Sequence, residues 1–141
     1  MSVLLMSTYD LGHQPFALAS LCASLSATGA DVICNDIAVE PLNEHAVKTS
    51  SLIAVHLAMH TATRLALDIL PRLKNLNPNS HLCFFGLYAP TAEKLLSSHN
   101  NMTFICGEFE NAISALHENL SRSGPIDEPA RISRNLTKQT F

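Results

Sequence analysis

The stretch that most constrains this chain is the apolar run Leu52-Ile53-Ala54-Val55 together with the segment after it, His56-Leu-Ala-Met59-His60-Thr61-Ala-Thr63. Four apolar residues, a short loop and then a helical pattern read as a strand buried on both faces that feeds a crossover helix. Such strands belong to parallel sheets covered by helices on either side. His56, Met59, His60 and Thr61 fall where that strand ends and the helix begins. In a doubly wound sheet this is where ligands bind, outside the carboxyl ends of the strands.

The rest of the chain reads as strands and helices built around this one. Val3 to Ser7 is a first strand, and Ser7 to Gln14 a polar loop containing Gly12. Pro15 suits the first turn of a helix, whose apolar stripe is Phe16, Leu18, Ala19, Leu21, Cys22 and Leu25. Gly29 stops that helix. Asp31 to Asp36 is a second strand, and Ile37 to Ser50, containing Pro41, an irregular or weakly helical crossover. The helix from about Thr61 to Leu76 contains Pro71, which predicts a kink or break. Leu82 to Phe85 is a fourth strand ending at Gly86, followed by a short helix over Pro90 to Ser98. Thr103 to Cys106 is a fifth strand ending at Gly107, and Glu108 to Leu120 the last helix. Five strands alternating with helices predict right-handed crossovers and a three-layer Rossmann-like (flavodoxin-like) parallel five-stranded sheet, order 2-1-3-4-5. From Ser121 the pattern fails. The domain is expected over 1–122, with 123–141 a linker or tail.

With 141 residues, the chain suits one core. Charged residues make up only 15%, below the usual quarter, which points to a face covered by a partner domain, a second copy or a bulky ligand. The net charge of -3 gives no footprint for nucleic acid or an anionic membrane. No run is long enough to span a bilayer, and the first residues lack a basic segment and a cleavage site, so a cytoplasmic protein is expected. Cys22, Cys34, Cys83 and Cys106 have no Cys-x-x-Cys spacing and read as buried, reduced thiols.

Several sites common on this fold are excluded. The sequence has no Gly-x-Gly-x-x-Gly, no phosphate-loop motif and no Gly-x-Ser-x-Gly elbow. It lacks the Ser/Thr-rich first loop of a flavin phosphate site and the acidic residues of a phosphoacceptor domain. Four strand ends remain: Tyr9 to Gln14, His56 to Thr61, Gly86 to Pro90, and Gly107 to Glu110. The glycines Gly12, Gly86 and Gly107 would let a large flat ligand approach the backbone closely, or would serve only tight turns. In the first of these two cases a valine at position 86 would block the ligand and leave the core intact. His56 and His60 form His-x-x-x-His, but the pair straddles a strand end and the sequence offers no third ligand, so no metal is assigned. Glu108 and Glu110 are explained by their place at a helix N-terminus.

These strand ends carry a resemblance. Leu11-Gly-His-Gln-Pro-Phe-Ala-Leu-Ala-Ser20, Met59-His-Thr-Ala-Thr-Arg-Leu-Ala66, Phe85-Gly-Leu-Tyr-Ala-Pro90 and Gly107-Glu-Phe-Glu110 resemble the N-terminal cobalamin (B12)-binding domain of B12-dependent radical SAM proteins. The nearest subgroup is the one whose full-length members end in a Cys- or selenocysteine-Ala-Glu-Pro tail. The resemblance covers roughly residues 3 to 120. It implies a domain that holds cobalamin, with its cobalt, over the carboxyl edge of the sheet. It places Gly12, His13 and Gln14, then His56, Met59, His60 and Thr61, then Gly86, Leu87 and Tyr88, and finally Gly107 and Glu108 at that site. The Asp-x-His-x-x-Gly motif that supplies an axial histidine in methionine synthase-like domains is not present: Asp10 and His13 are one residue too far apart, and Phe16 stands in place of the glycine. His13 is therefore not assigned to cobalt. The Cys-x-x-x-Cys-x-x-Cys motif of a radical SAM domain is also absent from the sequence, so no iron–sulfur cluster is expected in this chain.

Edge and resemblance together imply a cobalamin-binding module that presents B12 to a radical SAM partner domain or protein, not catalytic alone. The alternative is a B12-domain fold without cofactor that serves as an interaction or oligomerisation unit, for instance a homodimer. A free-standing enzyme using His56, His60 or the Glu108/Glu110 pair ranks last, because neither nucleophile nor metal is evident.

Overall fold

The computed structural model describes residues 2–9, 16–96, 101–107 and 109–123. Five strands, β1 (Ser2–Ser7), β2 (Asp31–Asp36), β3 (Leu52–His56), β4 (His81–Phe85) and β5 (Met102–Ile105), alternate with α1 (Phe16–Ser26), α2 (Glu44–Thr49), α3 (His60–Leu76), α4 (Ala89–Leu96) and α5 (Glu110–Ser123). All neighbouring strands pair in parallel, in the order β2-β1-β3-β4-β5. The molecule is a three-layer α/β sandwich of the Rossmann-like kind, as the alternation of elements predicts.

The period of two along each strand sorts the core into two halves. Leu4, Met6, Ile53, Val55, Leu82, Phe84, Met102 and Phe104 pack against α2, α3 and α4. Val3, Leu5, Leu52, Ala54, Cys83, Phe85 and Ile105 pack against α1 and α5. β3, in the middle of the sheet, is buried along its whole length, which accounts for its unbroken apolar spelling.

Three local features differ from expectation or sharpen it. α3 runs through Pro71 without a break. Position 71 lies on the exposed side of the helix, where water can take the carbonyl that proline cannot serve. The crossover after β2 holds a proper short helix, α2. Asn43 caps it by accepting from the Ala46 N–H at 3.1 Å. Buried Asn35 shapes the approach, donating to Glu40 and the Pro41 carbonyl and accepting from the Asn43 N–H at 2.8 Å. The far end of α2 is tied to the end of α3 by Asn77, whose amide nitrogen lies 2.8 Å from the Val47 carbonyl and 2.9 Å from that of Ser50. α5 continues to Ser123, past the expected end at Leu120. Residues 124–141, read as a tail, lie outside the described residues.

Gly29 ends α1 as expected. Its φ is +88°, and the Ala30 N–H turns back to the Leu25 carbonyl at 3.4 Å.

Candidate functional site

The carboxyl ends of β1, β3, β4 and β5 lie along one edge, and α3, α4 and α5 begin there. Their N-terminal N–H groups give that edge a positive partial charge. The ladder continues a little beyond the strands. The Leu57 N–H donates to the Phe85 carbonyl at 2.7 Å, and the Tyr88 N–H donates back to Leu57 at 3.2 Å. This bond pair holds the loop 57–59 beside the loop 86–88.

The two loops place their residues on two sides of the sheet. His60, exposed at the start of α3, stands beside half-buried Tyr88, ring centroids 6.4 Å apart. Tyr88 packs against the core half under α3 and α4. Met59 is half-buried and Thr61 exposed. Leu87 is 73% exposed at the crest of the same edge. His56 points the other way, into the α1/α5 half. It stacks on Phe85 with centroids 5.1 Å apart, and Phe109 closes the group at 4.8 Å from Phe85. His56 and His60 therefore lie on opposite sides of β3, and their spacing in sequence does not become a metal pair. Among the described residues no three His, Cys, Asp or Glu side chains cluster as a metal site.

Gly86 is crowded by the neighbouring loop. Its φ is +119°, and it is buried. A Cβ built on it would lie 2.8 Å from the Leu57 carbonyl oxygen and 3.2 Å from the His56 ring. The missing side chain makes room for the neighbouring loop, so a valine there would strike the backbone of the core layer. Gly107, exposed and at φ +88°, lines a cavity of about 390 Å³ with Phe109, Glu110 and Asn111. Glu110 accepts a hydrogen bond from Ser20 Oγ at 2.6 Å, which joins α5 to α1. That bond gives its carboxylate a structural task. Gly12, His13, Gln14 and Glu108 lie outside the described residues.

The sequence reading missed Phe85 and Phe109 as partners of His56, and Thr8. Buried Thr8 donates to the Ala62 carbonyl at 2.8 Å and fastens the end of β1 to the first turn of α3. The alternation of β4 carried a signal for Phe85, since it shares parity with Cys83. Nothing local pointed to Thr8.

A larger cavity, about 480 Å³, opens at the opposite edge, lined by Lys48, Ser50, Ser51, Asn77 and His81 among others. The C-terminal ends of α2, α3 and α5 face that edge and make it partially negative. His81 is buried there, with its Nε2 2.7 Å from Thr103 Oγ1. Burial pushes its pKa down to about 4, so it is neutral at pH 7.

The strand order and the helices on both faces define a doubly wound α/β domain, with the loops 57–59 and 86–88 side by side at the carboxyl ends of its strands. No family model matches the sequence, and no curated protein matches it. Among solved structures the fold is shared with TsrM, a radical S-adenosylmethionine methyltransferase from Kitasatospora setae. The form with tryptophan substrate and a SAM analogue superposes with a TM-score of 0.68 at 16% identity, over 92% of this chain and 29% of that one. The form with cobalamin and a 4Fe-4S cluster bound gives 0.67 at 16% identity, over 92% and 27%. This chain thus spans less than a third of the TsrM chain. A flavodoxin-like domain from Synechococcus sp. aligns with a TM-score of 0.46 at 17% identity, over 98% and 87%. Among the described residues no helix is long and apolar enough to cross a membrane.

Proposed function

We propose that this chain is a cobalamin-binding module that presents B12 to a radical SAM partner domain or protein. The observation that carries the reading is the neighbourhood of two loops. Met59, His60 and Thr61 stand beside Leu87 and Tyr88, and the His60 and Tyr88 rings are 6.4 Å apart. These are the two most specific strings of the resemblance, and the fold brings them to one edge. TsrM, solved with cobalamin bound, shares that fold.

The residues fit the group. Exposed Leu87 and half-buried Met59 and Tyr88 offer an apolar, open surface to a broad flat macrocycle. Thr61 and His60 offer hydrogen bonds to its amide arms. The cavity beside Gly107 and Phe109 gives room at the rim on the α1/α5 side. Cobalamin, when bound, supplies a cobalt-centred carrier of alkyl groups. This chain's residues would bind and orient it. The cluster chemistry would come from the partner, since no Cys-x-x-x-Cys-x-x-Cys occurs in the sequence. Mixing the protein with hydroxocobalamin and gel filtering tests the reading. Corrin absorbance should co-elute with the protein, and its absence from the protein peak would refute binding.

A second reading, an interaction unit without cofactor, has its own observation. Val39, 79% exposed, and Leu65 line an apolar groove of about 640 Å³ with Ile37 and Ile69. It expects self-association, and a strictly monomeric elution profile at high concentration would oppose it.

A further inference from the structure

β2 is an edge strand, and α1 lies along the face it shares with β1. Cys34 on β2 has the parity of Val32, which packs in the α1/α5 half of the core. Its register partner on β1 is Leu5, buried in that same half. From the other side Cys22, on α1, packs into the same cluster beside Leu21 and Leu25. The two side chains face each other across the α1–β2 interface, close enough for the Cys22 thiol to bear on the ionisation of Cys34. Cys22 is half-buried and Cys34 exposed, so small solutes reach the pair. The other two cysteines are set apart. Cys83 is buried on β4, and Cys106 follows β5 at the opposite side of the sheet.

We infer that Cys22 and Cys34 form a dithiol site on the sheet edge that two-electron oxidants, hydrogen peroxide in the first instance, convert to a disulfide. One thiol, as its thiolate, attacks a peroxide oxygen, the O–O bond breaks, and a sulfenic acid and a water result. The second thiol attacks that sulfur, the S–S bond forms, and a second water leaves. Two thiols and one hydrogen peroxide thus give one disulfide and two waters. A thiol reductant reverses the change. Partial desolvation of the sulfur and the neighbouring Cys22 thiol push the Cys34 thiol up to about 12. Attack by Cys34 is therefore limited by thiolate and speeds up with pH through the alkaline range. The disulfide would staple α1 to the edge strand, independently of any cofactor on the carboxyl edge.

The sequence makes the test simple. Cleavage before aspartate at positions 10, 31 and 36 separates Cys22, in fragment 10–30, from Cys34, in fragment 31–35. The intact folded protein is treated with hydrogen peroxide, alkylated, digested without reductant and weighed. The expected result is a mass loss of about 2 Da and a linked 10–30/31–35 species that dithiothreitol splits. Cys22→Ser and Cys34→Ser should each abolish that species, and the second exposes Cys22 to alkylation. Two results would overturn the assignment: separate sulfinic or sulfonic acids on Cys22 and Cys34 with no linked species, or a disulfide that involves Cys106. Loss of cobalamin binding in the parent would leave this outcome untouched, so the two proposals fail separately.

Discussion

Gly86 and Leu57 are packed so closely that a methyl group added to the glycine would lie 2.8 Å from the leucine's carbonyl oxygen. That carbonyl already accepts the Tyr88 N–H at 3.2 Å, so it cannot move without opening the bond that aligns the two loops.

Gly86→Ala should therefore cost about 2–4 kcal/mol, combining a positive-φ strain with overpacking against backbone. Gly29→Ala shares the positive φ but has nothing within 4 Å of the new atom. Its cost should be only about 1–2 kcal/mol. Urea melts of the two variants check the ordering, and equal losses would show that the Leu57 contact is not what makes Gly86 necessary.

Leu87 offers the cleaner probe of the proposed cobalamin site. At 73% exposure it has little packing to lose, and a carboxylate just before α4 suits the helix N-terminus. Leu87→Glu should leave the melting temperature within a degree or two of the parent, a shift of about 0.5 kcal/mol or less. Hydroxocobalamin retention on gel filtration should fall about tenfold or more. A variant that takes up cobalamin as well as the parent would remove Leu87 from the proposed site.

His81 should make the fold sensitive to mild acid. Its folded pKa of about 4 lies below the ordinary 6.5. The unfolded chain then takes up the proton first as pH falls. Stability should be full above about 6.5, decline as pH drops from there, and level off below about 4, for a total of about 3 kcal/mol. His81→Leu should lack this component whatever its baseline. Urea melts of parent and variant at pH 7 and pH 4.5 give the difference, and parallel losses in the two proteins would assign the acid sensitivity elsewhere.

The sheet order was legible because β1, β3 and β4 are spelled in unbroken apolar residues and the punctuation by Gly29, Gly86 and Gly107 falls at real strand and helix ends. The path through Pro71 was not, since propensity cannot tell that position 71 faces water. The edge itself was legible, and so was the closeness of Met59–Thr61 to Gly86–Tyr88, given the strand order. What each residue does there was not. The spacing of His56 and His60 straddles a strand end, in keeping with two rings on opposite faces, but only the pairing of β3 with β4 puts Phe85 against His56. Gly86 reads in sequence either as an opening for a ligand or as a tight-turn residue, and its crowding by Leu57, remote in sequence and adjacent in space, is visible only in the fold.

Asn77 gathers the carbonyls at the end of α2 into the end of α3, and the residue after it is Pro78. Asparagine side chains age when the next residue's backbone nitrogen attacks the amide carbon and closes a succinimide ring. A proline nitrogen carries no hydrogen to give up, so that clock does not run at Asn77. It runs two residues later at exposed Asn79, which precedes Ser80. In a long-lived sample the first added negative charge of this turn should appear on Asn79, while the joint between α2 and α3 keeps its amide.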